Sequence, residues 1–136
     1  MPRQTSHIVT VHFGDCDPAG IVFYPNFHRW MDAASLSFFM QRGVLPWHEL
    51  ERTRGIVGTP LLEIHTRFVN ASRYPDELVF KTHVETWHRK AFVQKHVVMR
   101  GDELICEGEE TRIFVVREAG KLRSIAVPDD IRRQCA

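Results

Sequence analysis

The sequence predicts one α+β domain, residues 1–136, in which a long helix packs on an antiparallel sheet. Three observations predict it. One segment carries apolar residues at helical spacing: Phe27, Trp30, Met31, Ala34 and Phe38. From Thr59 onward the period changes to two, with Leu62, Ile64, Thr66 and Phe68 alternating with Glu63, His65 and Arg67. The later segments are joined by short turns, which favour antiparallel neighbours. One helix and one sheet then form a two-layer domain.

The elements follow in order. "HIVTVHF", residues 7–13, sets Val9, Val11 and Phe13 at period two and reads as a strand, which "GDCDPAG" breaks. A helix starts near Tyr24, with Pro25 at its first position, where a missing N–H costs nothing, and Arg42-Gly43 stops it. Leu36 and Phe39 lie near Asp32 on a second side, so this helix is expected to be buried on more than one side. "PWHELERT" reads as a short helix and "RGIVG" as a turn. "LVFKTHVETW" and "AFVQKHVVM" are strands separated near "HRK". "RGDE" is a tight turn, and "LICEGEETRIFVVR" reads as one long final strand. "LRSIAV" and a turn of helix from Pro128 complete the chain. A sheet covers one helix face only. The mixed second face and the open strand edges therefore predict a homo-oligomer, at least a dimer.

Composition excludes several classes. The 18 basic and 17 acidic residues leave a net charge of +1, which argues against a general nucleic-acid binder but allows a local basic patch. No apolar run approaches the ~20 residues of a membrane span. The start "MPRQTSHIVTV" lacks the apolar centre of a signal peptide. Cys16, Cys106 and Cys135 are scattered and form no CxxC, so a reduced, cytoplasmic setting is expected. The eight histidines show no HExxH spacing, so no metal site is expected. His65, His83 and His96 read as ordinary strand-face residues. Gly-rich nucleotide loops are absent from the sequence.

Asp17 has two readings. Before Pro-Ala-Gly it caps a bend well as an Asx turn. It also stands just upstream of a helix start, whose free N–H groups and positive dipole end polarise a carbonyl. A carboxylate there could attack that carbonyl, or activate a water to do so. Cys16 could be a nucleophile if His12 or His28 were in reach, but it sits one residue from Asp17 and the two are expected to point apart. The basic run His88-Arg89-Lys90 is either a solvated loop or a phosphate clamp.

The segment "FGDCDPAGIVFYPNFHRWMDAAS" resembles the active-site segment of the hotdog-fold acyl-CoA thioesterases, nearest to their 4-hydroxybenzoyl-CoA thioesterase branch in proteobacteria. The likeness continues through "RGIVGTP", "RKAFVQKH" and "LRSIAVP", nearly the whole chain. It implies a sheet wrapped around one long helix, subunits paired through their sheets, and a dimer of dimers. It also implies thioester hydrolysis without a cofactor. Asp17 then matches the catalytic nucleophile or general base, and the Tyr24 N–H the donor that polarises the thioester carbonyl. Asp32 and Thr59 match residues that meet the far end of the acyl group across the subunit boundary, and Trp47 an aromatic near the acyl pocket. Arg89, Lys90 and Arg123 match basic residues that meet the CoA phosphates. Ala91, where a close relative in that branch has a hydroxyl residue, and a shorter "RGDE" turn depart from the pattern. Alternatives are a thioesterase for other short or medium acyl-CoA esters, a hotdog hydratase, and a non-catalytic acyl-CoA binder. No histidine in the Asp17 turn supports the hydratase.

Overall fold

Pro25 begins the long helix, and the residues around it decide where everything else packs. The computed structural model describes residues 2–136. In chain order the elements are β1 (Gln4–Thr10), a single 3-10 turn (Phe13–Asp15), α1 (Pro25–Gln41), α2 (Trp47–Arg54), β2 (Ile56–Gly58) and β3 (Leu61–Phe68). They continue with β4 (Glu77–Trp87), β5 (Phe92–Arg100), β6 (Glu103–Arg112), β7 (Phe114–Glu118), β8 (Lys121–Ile125) and α3 (Asp129–Cys135). A five-stranded antiparallel sheet runs β1-β4-β5-β6-β3, and a second sheet of three strands runs β2-β7-β8. The α1 helix lies against β1 and β4, in the hotdog arrangement of a sheet around one helix.

Two apolar clusters hold α1 to the sheets. Phe27, Trp30, Met31 and Ala34 pack with Leu78, Phe80, Val98 and Ile105 toward one end. Phe38 and Phe39 pack with Phe92, Phe114 and Ile131 toward the other. Between them lies a buried polar layer, with Ser35 donating to Gln94 Oε1 at 2.6 Å, and with His96, Glu110 and Arg112 beside it. Gly108 of β6 permits the closest helix-to-sheet approach: a Cβ there would stand 2.5 Å from Met31 Sδ.

Four expectations need correction. The first strand ends at Thr10, and Phe13 lies in the 3-10 turn, largely exposed, because Asp15 folds back to accept the His12 N–H at 2.8 Å. "RGIVG" is not only a turn: Gly55, at φ 72°, ends α2 and Ile56–Gly58 forms β2. The long final strand is two strands in different sheets, broken at Ile113, whose N–H donates to the Pro60 carbonyl at 3.2 Å. Phe39 does not face outward with Leu36; it is fully buried in its own chain, 5.3 Å from the Trp47 ring.

Strand β3 also departs from strict alternation. Leu61 pairs with Arg112 and Glu63 with Thr111, so Leu62 is an extra residue in a bulge. Leu61 and Ile64 therefore line one cavity while Leu62 faces another.

Gly108→Ala should force Met31 out of its rotamer in a core with no spare room. A loss of about 1–3 kcal/mol is expected, measured as a lower urea midpoint at unchanged slope.

Candidate active site

The Asp17 turn is built by backbone pairing. Cys16 bridges Val22, the Asp17 N–H donates to the Ile21 carbonyl at 2.8 Å, and the Gly20 N–H donates to the Asp17 carbonyl at 2.9 Å. Gly20 takes φ 82°, the left-handed conformation that this close needs. The Ala19 N–H donates to Asp17 Oδ1 at 2.9 Å, so the Asx turn is real. That single bond engages one carboxylate oxygen; among the described residues no hydrogen bond engages Oδ2. Asp17 is half-buried and lines a cavity of about 600 Å³ with Phe13, Arg73 and Tyr74.

Tyr24 caps α1. Its backbone N–H donates to no backbone acceptor among the described residues, while its carbonyl accepts the Phe27 N–H at 3.1 Å. A free amide at the positive end of a helix, a few residues after a half-engaged carboxylate, is suited to polarising a carbonyl. The Tyr24 ring meets Phe68 and His28 edge-on, at 6.4 and 6.5 Å.

Asp76 secures the loop whose Arg73 and Tyr74 line the same cavity as Asp17. It accepts from Ser72 Oγ, from the Arg73 N–H and from Arg100. Burial alone would raise its carboxyl, but those donors outweigh burial and hold it below the ordinary value.

A second cavity, about 620 Å³, brings Asp32, Trp47 and Thr59 together. His28, Ile64 and Leu122 add to its walls, and Glu110 and Arg112 also line it. Arg112 is only 5% exposed, yet its side chain makes four hydrogen bonds. Nε and Nη2 donate to the Glu110 carboxylate at 3.2 and 3.0 Å, Nη1 donates to the Thr59 carbonyl at 2.8 Å, and Nη2 donates to Asp32 Oδ1 at 3.1 Å. One planar guanidinium thus serves Glu110 and the cavity wall at once. His96 Nε2 lies 2.6 Å from Glu110 Oε1, and His96 Nδ1 lies 2.7 Å from Thr82 Oγ1. Burial alone would raise the Glu110 carboxyl; the His96 hydrogen bond and charge, then Arg112, outweigh it and hold it below the ordinary value.

Arg89 and Lys90 lie in the β4–β5 loop, exposed and with no carboxylate partner among the described residues. They line a third cavity, about 610 Å³, with Leu62, Ala91 and Ile113. Arg123 is paired with Glu118, and its neighbour Ser124 lines the same cavity as Arg89 and Lys90. Within one chain, then, the Asp17 turn, the Asp32–Trp47–Thr59 cavity and the basic loop border three separate spaces.

Known proteins share this fold. The sequence model of the thioesterase-like superfamily matches residues 11–135. The chain belongs to the thioesterase-like superfamily. It is 43% identical, over an alignment of 141 residues spanning all of both chains, to a 4-hydroxybenzoyl-CoA thioesterase of Pseudomonas sp. strain CBS-3. A solved structure of a 4-hydroxybenzoyl CoA thioesterase, the D17N mutant complexed with 4-hydroxybenzoyl CoA, is 41% identical with a TM-score of 0.94, covering 98% of this chain and 99% of that one. A gentisyl-coenzyme A thioesterase is 31% identical with a TM-score of 0.84, covering 94% and 99%.

For this thioesterase-like chain, several sequence expectations change. Cys16 and Asp17 both border one cavity, and Cys16 also packs against the apolar cluster around Phe27 and Trp30. The Cys16 thiol reaches only the His12 carbonyl, at 3.9 Å, with no imidazole bonded to it. Cys106 and Cys135 are buried, and desolvation pushes both thiols up to about 12. The Asp32 side chain is 74% exposed and pairs with Arg112, while Arg29 pairs with Asp15. His96 is no ordinary face residue but fully buried. Sequence reasoning missed Glu110 and Arg112. Their signal was two opposite charges at strand spacing in "EETR". A buried acid–histidine pair does exist, but His96 and Glu110 are held by each other, Thr82 and Arg112.

Glu110 has a folded pKa below the ordinary 4.5. Its contribution to stability is therefore complete above that value and is lost as pH falls through the folded value. Glu110→Gln should be less stable near neutrality and lose less stability on acidification, read from urea unfolding between about pH 7 and about pH 3.

Proposed function

We propose that this protein is an acyl-CoA thioesterase that hydrolyses an aryl-CoA ester of the 4-hydroxybenzoyl type to the free acid and CoA. The observation that carries the reading is the turn carboxylate of Asp17, half-engaged and upstream of the free Tyr24 amide at the start of α1. The full-length likeness to a 4-hydroxybenzoyl-CoA thioesterase supports the substrate class.

In this mechanism the thioester carbonyl oxygen accepts the Tyr24 N–H at the positive end of α1. The developing negative charge is stabilised there without any metal or cofactor. Asp17 attacks the carbonyl carbon and expels the CoA thiolate, and water then opens the mixed anhydride; or Asp17 takes a proton from the attacking water and the thiolate leaves in one acyl transfer. A thioester is electrophilic enough for either. Trp47, Thr59 and Asp32 receive the aromatic acyl group, with Asp32 accepting a phenolic O–H at its far end. Arg89, Lys90 and Arg123 meet the phosphates of CoA, for which Arg123 exchanges its bond to Glu118.

The three spaces become one site when a second copy supplies the missing walls. Strand β3 is a sheet edge with Leu62 62% and Phe68 47% exposed, an unprotected edge suited to pairing with another β3. The active protein is thus a homo-oligomer, a dimer or dimer of dimers, in which Asp17 and Tyr24 of one copy face the Asp32–Thr59 cavity of the other. No described helix is long and apolar enough to cross a membrane, and a cytoplasmic location fits the reduced cysteines.

Thiol release from a panel of aryl- and alkyl-CoA esters tests this. 4-Hydroxybenzoyl-CoA should exceed benzoyl-CoA in kcat/KM, and Asp17→Asn should lose at least ~10²-fold in turnover, while Cys16→Ser keeps most activity. Near-normal thiol release from Asp17→Asn removes the assignment. Faster cleavage of straight-chain esters removes the aryl specificity and leaves a thioesterase.

A further inference from the structure

Arg112 holds a place that neither local motifs nor the turn chemistry explains. It is the last residue of β6, nearly sealed from solvent, yet it lines the Asp32–Trp47–Thr59 cavity. A buried guanidinium needs a carboxylate, and Glu110 alone meets that need through Nε and Nη2. The remaining donors turn outward, Nη1 to the Thr59 carbonyl and Nη2 to Asp32 Oδ1. Behind Glu110 the chain of bonds continues into β5 and β4. Because Glu110 stays ionised and can only accept, His96 Nε2 carries the proton toward it, and His96 Nδ1 meets Thr82 Oγ1. Three neighbouring strands thus fix the plane of one guanidinium.

We infer that Arg112 is a positioning residue that sets specificity for the far end of the acyl group, by fixing the Asp32 carboxylate and the Thr59 segment in the cavity wall. The inference rests on the proposed aryl-CoA reading. Asp32 stands on the exposed side of α1, where a free carboxylate would sample several rotamers; Arg112 anchors Oδ1 and leaves Oδ2 to a ligand. A carboxylate oxygen left open in this way accepts a hydrogen bond. The fitted partner is therefore a neutral hydroxyl donor on the ring, and a carboxylate at the same ring position is repelled by Asp32. The Thr59 carbonyl is held by the same head group, so the loop between β2 and β3 cannot drift from α1. Lysine cannot reproduce this arrangement, because a point charge lacks the planar fork.

The test compares kcat/KM for 4-hydroxybenzoyl-CoA and benzoyl-CoA in wild type, Arg112→Lys, Asp32→Ala and the double variant. Arg112→Lys should lower the hydroxylated-over-unsubstituted ratio by about tenfold, the worth of one charge-assisted hydrogen bond. In the Asp32→Ala background the same change should leave the ratio where Asp32→Ala put it. An unchanged ratio in Arg112→Lys, or an equal loss on both esters, overturns the inference and leaves a structural arginine. A wild type with no preference between the esters overturns the substrate reading and the inference with it. Should Arg112→Lys fail to fold, isotope-labelled arginine in the wild-type protein decides by NMR. A clamped guanidinium gives separate, slowly exchanging Nη signals that respond more to 4-hydroxybenzoate than to benzoate. Averaged signals, or an equal response, overturn the inference.

Discussion

The buried contact between Arg112 and Glu110 is the constraint on which the rest of the structure depends. Both groups are charged and out of water, so neither tolerates the loss of the other. Their positions two residues apart on one strand put both on the same face, under the middle of α1. That layer divides the apolar interior into two clusters, one around Trp30 and Phe80 and one around Phe39 and Phe92. Apolar packing alone would accept small slips of helix against sheet. A charge pair with His96, Thr82, Thr59 and Asp32 as fixed partners accepts far fewer.

The same constraint shapes the surface where chemistry is proposed. Arg112 closes β6, and at the next residue the chain leaves the large sheet for the small one, with Ile113 bonded to Pro60. The Leu62 bulge lies directly across from this break. Together they separate the cavity of Asp32, Trp47 and Thr59 from the space beside Arg89 and Lys90, with only the start of β3 between them. The Asp17 turn stands elsewhere, closed by its own backbone bonds and by the loop that Asp76 secures. A proposed catalytic acid and a proposed acyl cavity that do not share a space within one chain, beside an open apolar sheet edge, favour a site completed by a second copy.

Much of this was legible in the sequence, and the limits have physical causes. The start of α1 was readable because Pro25 and the spacing of Phe27, Trp30 and Met31 are local signals. The acid in the turn was readable for the same reason. Phe39 was misplaced because helical spacing shows which residues share a face and not which neighbour covers it; α2 and β7 supply Trp47 and Phe114 against it. The division of the final strand was invisible because β6 and β7 keep one alternation, and the break comes from a carbonyl more than fifty residues earlier. Asp32 and Arg112 are separated by 80 positions, so no local pattern pairs them. His96 read as an ordinary strand-face residue because a buried histidine is distinguished only by its partners, Thr82 and Glu110, each on another strand.

The central claim is that the acid and the acyl cavity of a working site come from different copies. Co-expression of Asp17→Asn and Asp32→Ala chains with separable tags, followed by isolation of the mixed oligomer, tests it most directly. Within such an oligomer one site carries both substitutions and the other carries neither. The account predicts that the isolated hybrid regains the wild-type preference for 4-hydroxybenzoyl-CoA over benzoyl-CoA, a preference that pure Asp32→Ala lacks. A hybrid whose preference stays at that of pure Asp32→Ala would contradict the account, because each chain would then be working with its own acid and its own cavity.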